Sequence, residues 1–458
     1  MIEGALLLVR LVLGVAALTL VGGLLVRWLA PGFNLLEQNA AGFGLGALII
    51  TLWMLALSSL GIPFDLPLVL ALPLSLVGGL WWGRLVSKRV RPKAPSPSHT
   101  PPPPPAPYGY ADWLFLGLLA VLFLFAFLRA GLYPMWAWDA FATWGFKAQV
   151  FYERQAVDLS GFEAHNYYPN LVPLLLTYLY LWLGQVNDHL VKLVFPLWGA
   201  ALLGLLLVML RRVGLNRTRS LGISAFLALN GLTFVTHLHI AYADLALTYY
   251  TLGAAGFIYL WLSGAAPRGT MPLAAWFFAG LPWCKFEGLP LAASILLAAG
   301  LTLLWLRPPR LARRLASLTW PVAGLLLGYL PWRLFMASRG LETGADHILG
   351  FYPQQLLQAL PTFFWALINP TLFGVLWPAT LVALVLLGKK LVTTPRLFLA
   401  LFLGGNFAAI LLAYAVAPTS PAEFHMYVRA TLDRLLLHLT PVAALALGEG
   451  LKEVGAGQ

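Results

Sequence analysis

Charged side chains are scarce in this 458-residue chain, at 10% of all positions, whereas an ordinary soluble domain carries about 25%. Hydrophobic residues make up 60% and the mean hydropathy is +0.81. A soluble globular domain and a disordered chain are both excluded, and a membrane protein of many spans is indicated. With a single cysteine, Cys284, no intrachain disulfide can form, so a disulfide-stapled secreted fold is excluded. Phosphate-binding loops, dinucleotide fingerprints, zinc-protease motifs and nucleophile elbows are also missing, which leaves no visible machinery for an ATP-driven pump or a soluble-cofactor enzyme.

The net charge of +12 does not signal nucleic acid as a partner, because the basic residues sit in short clusters between apolar runs. Such clusters orient a membrane protein. They fall at Arg84–Lys93, Arg211–Arg219, Arg307–Arg314 and Lys389–Arg396. Apolar runs long enough to cross a bilayer lie at 5–28, 42–60, 66–85, 113–132, 190–210, 220–235, 245–262, 272–286, 289–306, 318–336, 362–387, 397–416 and 432–447. An all-α polytopic protein of about thirteen transmembrane helices follows, since nothing alternates with a barrel strand's period. Placing every basic cluster in the cytoplasm makes the apolar stretch 171–183 an amphipathic or re-entrant helix on the outer surface, with a short buried span as the alternative. The run at 5–28 is long enough to span and lacks a basic flank, so no cleavable signal is expected.

Prolines 101–105 mark a basic cytoplasmic linker. The expected organisation is a three-helix membrane segment at 1–86, the linker at 87–110 and a membrane domain at 111–458 with a large outer loop at 133–189. All helices packing as one unit is the competing expectation.

With this topology most of the seventeen acids gather on the outer side. Asp139 emerges at a helix end among Trp136, Trp138 and Trp144, with Lys147 two turns on. Indoles prefer the headgroup level, where partial desolvation makes a carboxylate a better proton acceptor. The plainer account is a solvated acid after an aromatic belt. Asp244, after His237 and His239, stands at the mouth of a helix and would serve equally as a cap. Two alternating histidines without a clear third ligand are a weak metal signal. Lys285 and Glu287 form a charged corner between two helices and could satisfy each other. Arg333, Arg339, His347, Arg429 and Arg434 offer a cationic rim for an anionic lipid headgroup, although any one of them could simply snorkel to ordinary phospholipid.

In order, these features are an aromatic-flanked acid, Asn166-Tyr-Tyr-Pro169, Tyr-Ala-Asp244, Lys285-Phe-Glu-Gly288, Leu-Pro-Trp332 and Leu432-Asp-Arg-Leu-Leu-Leu437. The set resembles the GT-C superfamily of integral-membrane glycosyltransferases, particularly bacterial relatives of the protein O-mannosyltransferase and aminoarabinose transferase group. The resemblance runs from about Asp112 to Leu447 and implies a sugar donor on polyprenyl phosphate and a plasma-membrane enzyme acting on the extracytoplasmic side. It places the catalytic base on Asp139 and the family's lysine on Lys285. Many relatives have an adjacent acidic pair where this chain has Asp139 alone, so no cofactor is implied with certainty and a divalent cation stays open.

The chemistry expected is one displacement with inversion: Asp139 accepts the proton of an acceptor hydroxyl on a glycan, lipid or protein. Lys147, Lys285, Arg333 or Arg429 would neutralise the departing lipid phosphate. Asp244, His165 and Glu287 would orient hydroxyls, with Trp138 and Trp144 beside them. The competing functions are a transporter or flippase of a lipid-linked saccharide, and an outer-face glycan ligase or polymerase. A transporter would want charged or broken positions at the bilayer midplane, whereas the spans are nearly free of charge, with Arg10 the main exception.

Overall fold

The computed structural model describes residues 2–90, 107–162, 166–341 and 350–456. Most of the proline-rich stretch, His165 and His347 therefore lie outside the described residues. Those described form helices and no strand. In order these are α1 (Ile2–Leu29), α2 (Leu35–Ser59), α3 (Leu66–Val90) and α4 (Tyr110–Leu132), then a π-helical turn at Asp139–Gly145 running into α5 (Phe146–Arg154). The short apolar α6 (Leu171–Leu183) precedes α7 (Asp188–Val191), α8 (Val194–Arg212), α9 (Arg217–Leu229), α10 (Leu232–His237) and α11 (Asp244–Leu262). After α12 (Thr270–Cys284) and α13 (Gly288–Leu306) come α14 (Leu311–Ser317), α15 (Thr319–Ser338) and α16 (Pro353–Ile368). The remainder is α17 (Pro370–Phe373), α18 (Leu376–Leu386), α19 (Lys389–Thr393), α20 (Leu397–Val416), α21 (Pro421–Leu437) and α22 (Thr440–Ala456).

Nine helices among the described residues are long and apolar enough to cross a membrane, and α21 with α22, bent by 48°, supplies up to a tenth. Three of the thirteen expected spans fall on shorter pieces. The run at 220–235 breaks at Asn230–Gly231, 272–286 is the 15-residue α12, and 362–387 is interrupted by Pro370 and by Gly374 in the left-handed region. Hydropathy counts apolar residues and passes over such interruptions, whereas proline removes a helical N–H and a positive φ ends the helix.

The second difference concerns α6, expected on the surface. Its side chains are buried on nearly every side, packed by α1, α2 and α5, as a helix apolar all round requires. Arg10 donates to the Leu183 carbonyl at 3.0 Å, closing the C-terminal end of α6, and the Tyr178 hydroxyl donates to the Gly14 carbonyl at 2.9 Å.

The centre of the molecule is α2. Asn34 caps it reciprocally with Glu37, and Glu37 also pairs with Arg212 at 2.6 Å. Gly42 and Gly46 let α1 approach so closely that a Cβ at Gly46 would strike the Leu18 carbonyl oxygen, the small-residue contact of membrane helices. On its other side Tyr249 donates to the Ala40 and Ala41 carbonyls at 2.7 and 2.9 Å, and Tyr250 to Gly44 at 2.7 Å. Trp283 donates to Thr51 at 2.8 Å. The N-terminal helices are thus bonded into the helices that carry the site.

Ion-pair clusters lie toward both ends of the molecule. At one end Arg217 pairs with Asp112 at 3.0 Å, and Arg396 pairs with Glu449 and Glu453 at 2.8 and 2.6 Å. Tyr259, near that end of α11, lines a cavity with Arg396 and Glu449. Asp244 starts the same helix about 22 Å away at 1.5 Å per residue.

Candidate active site

Four pieces of chain converge at the Asp244 end. The π-helical turn brings Asp139, the first turn of α11 brings Asp244, the α12–α13 corner brings Lys285 and Glu287, and α21 brings Arg434 and, at its end, His438. Apolar Phe424, Val428, Leu432 and Leu436, each four residues apart, bury one face of α21. Tyr427, Thr431, Arg434 and His438 form the adjoining stripe, since residues three and four apart lie side by side on a helix.

Arg434 is the hub. Its Nη1 lies 2.7 Å from Asp139 Oδ2, while Nε and Nη2 reach Asp244 Oδ2 at 3.2 and 3.1 Å. The Tyr242 ring lies 4.8 Å from the guanidinium. The other oxygen of Asp244 accepts from Lys285 Nζ at 2.9 Å and stands 3.3 Å from His438 Nε2. Lys285 also pairs with Glu287 at 3.0 Å. Asp244 and Lys285 are buried, and together they form a charge cluster that neither could occupy alone at that depth. Glu287 Oε2 has no hydrogen-bond partner among the described residues.

A cavity of about 580 Å³ opens onto this cluster. Asp139, Lys285, Glu287 and Arg434 supply its charged wall. Trp144, Tyr167, Tyr168 and Tyr427 supply aromatic faces, and Ala413, Val416 and Leu435 an apolar flank. Tyr167 and Tyr168 stack at 4.8 Å, and the Trp332 indole donates to the Tyr167 carbonyl at 2.9 Å. The Asn166-Tyr-Tyr-Pro169 and Leu-Pro-Trp332 motifs thus meet through Tyr167 and Trp332.

Of the residues singled out in the sequence, Asp139, Trp144, Lys285 and Glu287 line this cavity, and Asp244 lies buried behind it. Trp138 points away, 74% exposed. Lys147 is buried on α5 with its Nζ 5.9 Å from the Phe162 ring centre, outside the cavity lining. Burial pushes its ammonium down to about 7. Arg333, half-buried on α15, does not line the cavity, and Arg429 lines a neighbouring one on another face of α21. Arg434, in the sequence only one cation of the outer rim, is the hub of the cluster, and His438 was not among the candidates. Among the described residues no group of three His, Cys, Asp or Glu is placed to hold a metal ion.

The fold is similar to that of ArnT from Cupriavidus metallidurans, solved in the apo state and bound to undecaprenyl phosphate. The TM-scores are 0.53 and 0.55 at 14% and 15% sequence identity. Each match covers 75% of this chain but only 60% or 61% of the transferase, so the chain spans about three-fifths of that protein's length. No family model and no curated protein matches the sequence.

Proposed function

We propose that this multi-pass membrane protein transfers a sugar from a polyprenyl-phosphate donor to an acceptor hydroxyl at the extracytoplasmic face of a bacterial plasma membrane, with inversion. The observation that carries the reading is the cavity that Asp139 shares with Lys285 and Arg434. A carboxylate and two cations are what a glycosyl phosphate needs: one group to take a proton and two to receive a phosphate. The apolar flank of Ala413, Val416 and Leu435 suits the first isoprene units. That ArnT has been solved with undecaprenyl phosphate supports a donor of this class.

In the proposed step the acceptor oxygen attacks the anomeric carbon while its proton passes to Asp139. The bond from that carbon to the phosphate oxygen breaks, and its electron pair leaves with the polyprenyl phosphate, whose charge Lys285 and Arg434 offset. Arg434 holds Asp139 when no phosphate competes for it; a phosphate arriving at the guanidinium releases the carboxylate for its role as base. Asp244 keeps both cations in place, and Glu287 Oε2 is available to a sugar hydroxyl.

The test is Asp139→Asn, assayed for transfer from a polyprenyl-phosphate sugar to membrane acceptors. Transfer should fall by roughly 10²- to 10⁴-fold, the usual worth of a general base. A carrier of lipid-linked saccharide would instead keep moving its cargo, and transfer at the parental rate would move the base elsewhere.

A further inference from the structure

The second cavity, of about 430 Å³, lies between α16 and α21 and shares no lining residue with the first. Arg429 and Asp433 both line it, one helical turn apart. They are not ion-paired with each other among the described residues, and Asp433 Oδ1 instead accepts the backbone N–H of Arg434 at 2.9 Å. Opposite charges at i and i+4 on a helix ordinarily close on one another. Here both face the cavity instead.

The rest of the wall is mainly apolar, with Trp365, Ala366, Leu372 and Leu432. Trp365 and its neighbours Phe364 and Ile368 are each 59% exposed on a chain whose outward apolar surface faces lipid. The cavity is therefore a crevice open to acyl chains, with one fixed cation and one fixed anion in it. A purely anionic headgroup would meet Asp433, and a purely cationic one would meet Arg429.

We propose that this crevice binds a zwitterionic aminophospholipid of the phosphatidylethanolamine type. Its phosphate pairs with Arg429, its ammonium with Asp433, and an acyl chain lies along Trp365 and Leu372. The spacing suits such a headgroup: side chains one turn apart are about 5–6 Å between Cβ atoms, and phosphate and ammonium are two carbons apart. A primary ammonium donates hydrogen bonds to a carboxylate, which the quaternary group of phosphatidylcholine cannot do. This site is independent of sugar transfer and stands whether or not the main cavity holds a glycosyl donor.

The full chain, purified in mild detergent, is mixed with equimolar phosphatidylethanolamine, phosphatidylcholine and phosphatidylglycerol, and retained lipid is read by native mass spectrometry. Phosphatidylethanolamine should be retained over each of the others by about fivefold, the scale of one partly exposed ion pair. Arg429→Gln, at an exposed position, should remove most of that retention, and Asp433→Asn should abolish the preference over phosphatidylglycerol. Equal retention of the three lipids, a preference for phosphatidylglycerol in the parent, or unchanged phosphatidylethanolamine retention by Arg429→Gln would each overturn the assignment.

Discussion

Arg434 grips Asp139 through one nitrogen, at 2.7 Å, and Asp244 through two others, at 3.1 and 3.2 Å. One guanidinium thus ties an acid on the cavity wall to an acid buried behind it. A planar fork of donors makes this bridge, and a point charge on a flexible stem does not.

Replacing the fork should accordingly cost more than its charge. Arg434→Gln removes charge-assisted hydrogen bonds worth about 1.5–3 kcal/mol, so kcat/KM for sugar transfer should fall roughly ten- to a hundredfold. Arg434→Lys should recover only part of this, because an ammonium that reaches Asp244 releases Asp139. Steady-state kinetics on purified variants distinguish the cases, and full activity in the lysine variant would show that only charge is needed.

Much of this was legible before the structure and some was not, for identifiable reasons. Asp139, Lys285 and Glu287 stood out because charges are rare in so apolar a chain and each lies at a helix end. Arg434 did not. A span beginning at residue 432 leaves Arg434 as one more cation of the outer rim, with nothing in the sequence to show that it bridges two acids. Extending the helix back to Pro421 aligns Tyr427, Thr431, Arg434 and His438 on one stripe. The burial of α6 was obscured by its length, since thirteen residues are too few to cross a bilayer yet enough to be enclosed by α1, α2 and α5. What joins Tyr167 to Trp332 is a long-range hydrogen bond with no local signal.

Asp244 and Asp139 should differ in what their loss does to stability. Asp244 is wholly buried and is the common partner of Lys285 and Arg434, so Asp244→Ala leaves two cations in a dry site short of a counter-charge. Breaking a buried pair in this way costs about 3–5 kcal/mol. Asp139 is 26% exposed, and its removal leaves Arg434 still bound to Asp244. Unfolding in detergent should show a large loss for Asp244→Ala and a small one for Asp139→Ala. Equal losses would mean that the cluster does not hold the fold at Asp244.

Lys147 gives a pH dependence of definite sign. Burial lowers its folded-state pKa to about 7, against about 10.4 in an unfolded chain. Below 7 both states carry the charge and the folded state bears its full desolvation cost. As pH rises from 7 toward 10 the folded state releases the proton first and that cost is relieved, so Lys147 opposes folding at low pH and ceases to do so at high pH. The parent should therefore melt at a higher temperature at pH 9 than at pH 6, and Lys147→Met should flatten the difference while stabilising the protein chiefly at the acidic end. A parallel pH dependence in both proteins would assign the effect to other groups.

Ion-pair clusters lie toward both ends of α11, Asp139–Arg434–Asp244 at one and Arg396 with its glutamates toward the other, and the second adjoins the basic stretch Lys389–Arg396. Lysine and arginine clusters are retained in the cytoplasm during insertion, so the proposed extracytoplasmic transfer predicts that the cavity opens on the opposite side from Lys389–Arg396. Trp138→Cys, beside Asp139 and well exposed, and Arg310→Cys, exposed in a basic cluster, read this out in a Cys284→Ala background. An impermeant maleimide added to intact cells should label the cysteine at 138, and the one at 310 only after the membrane is opened. Labelling in the reverse order would place the acids in the cytoplasm and, with them, any transfer the cavity performs.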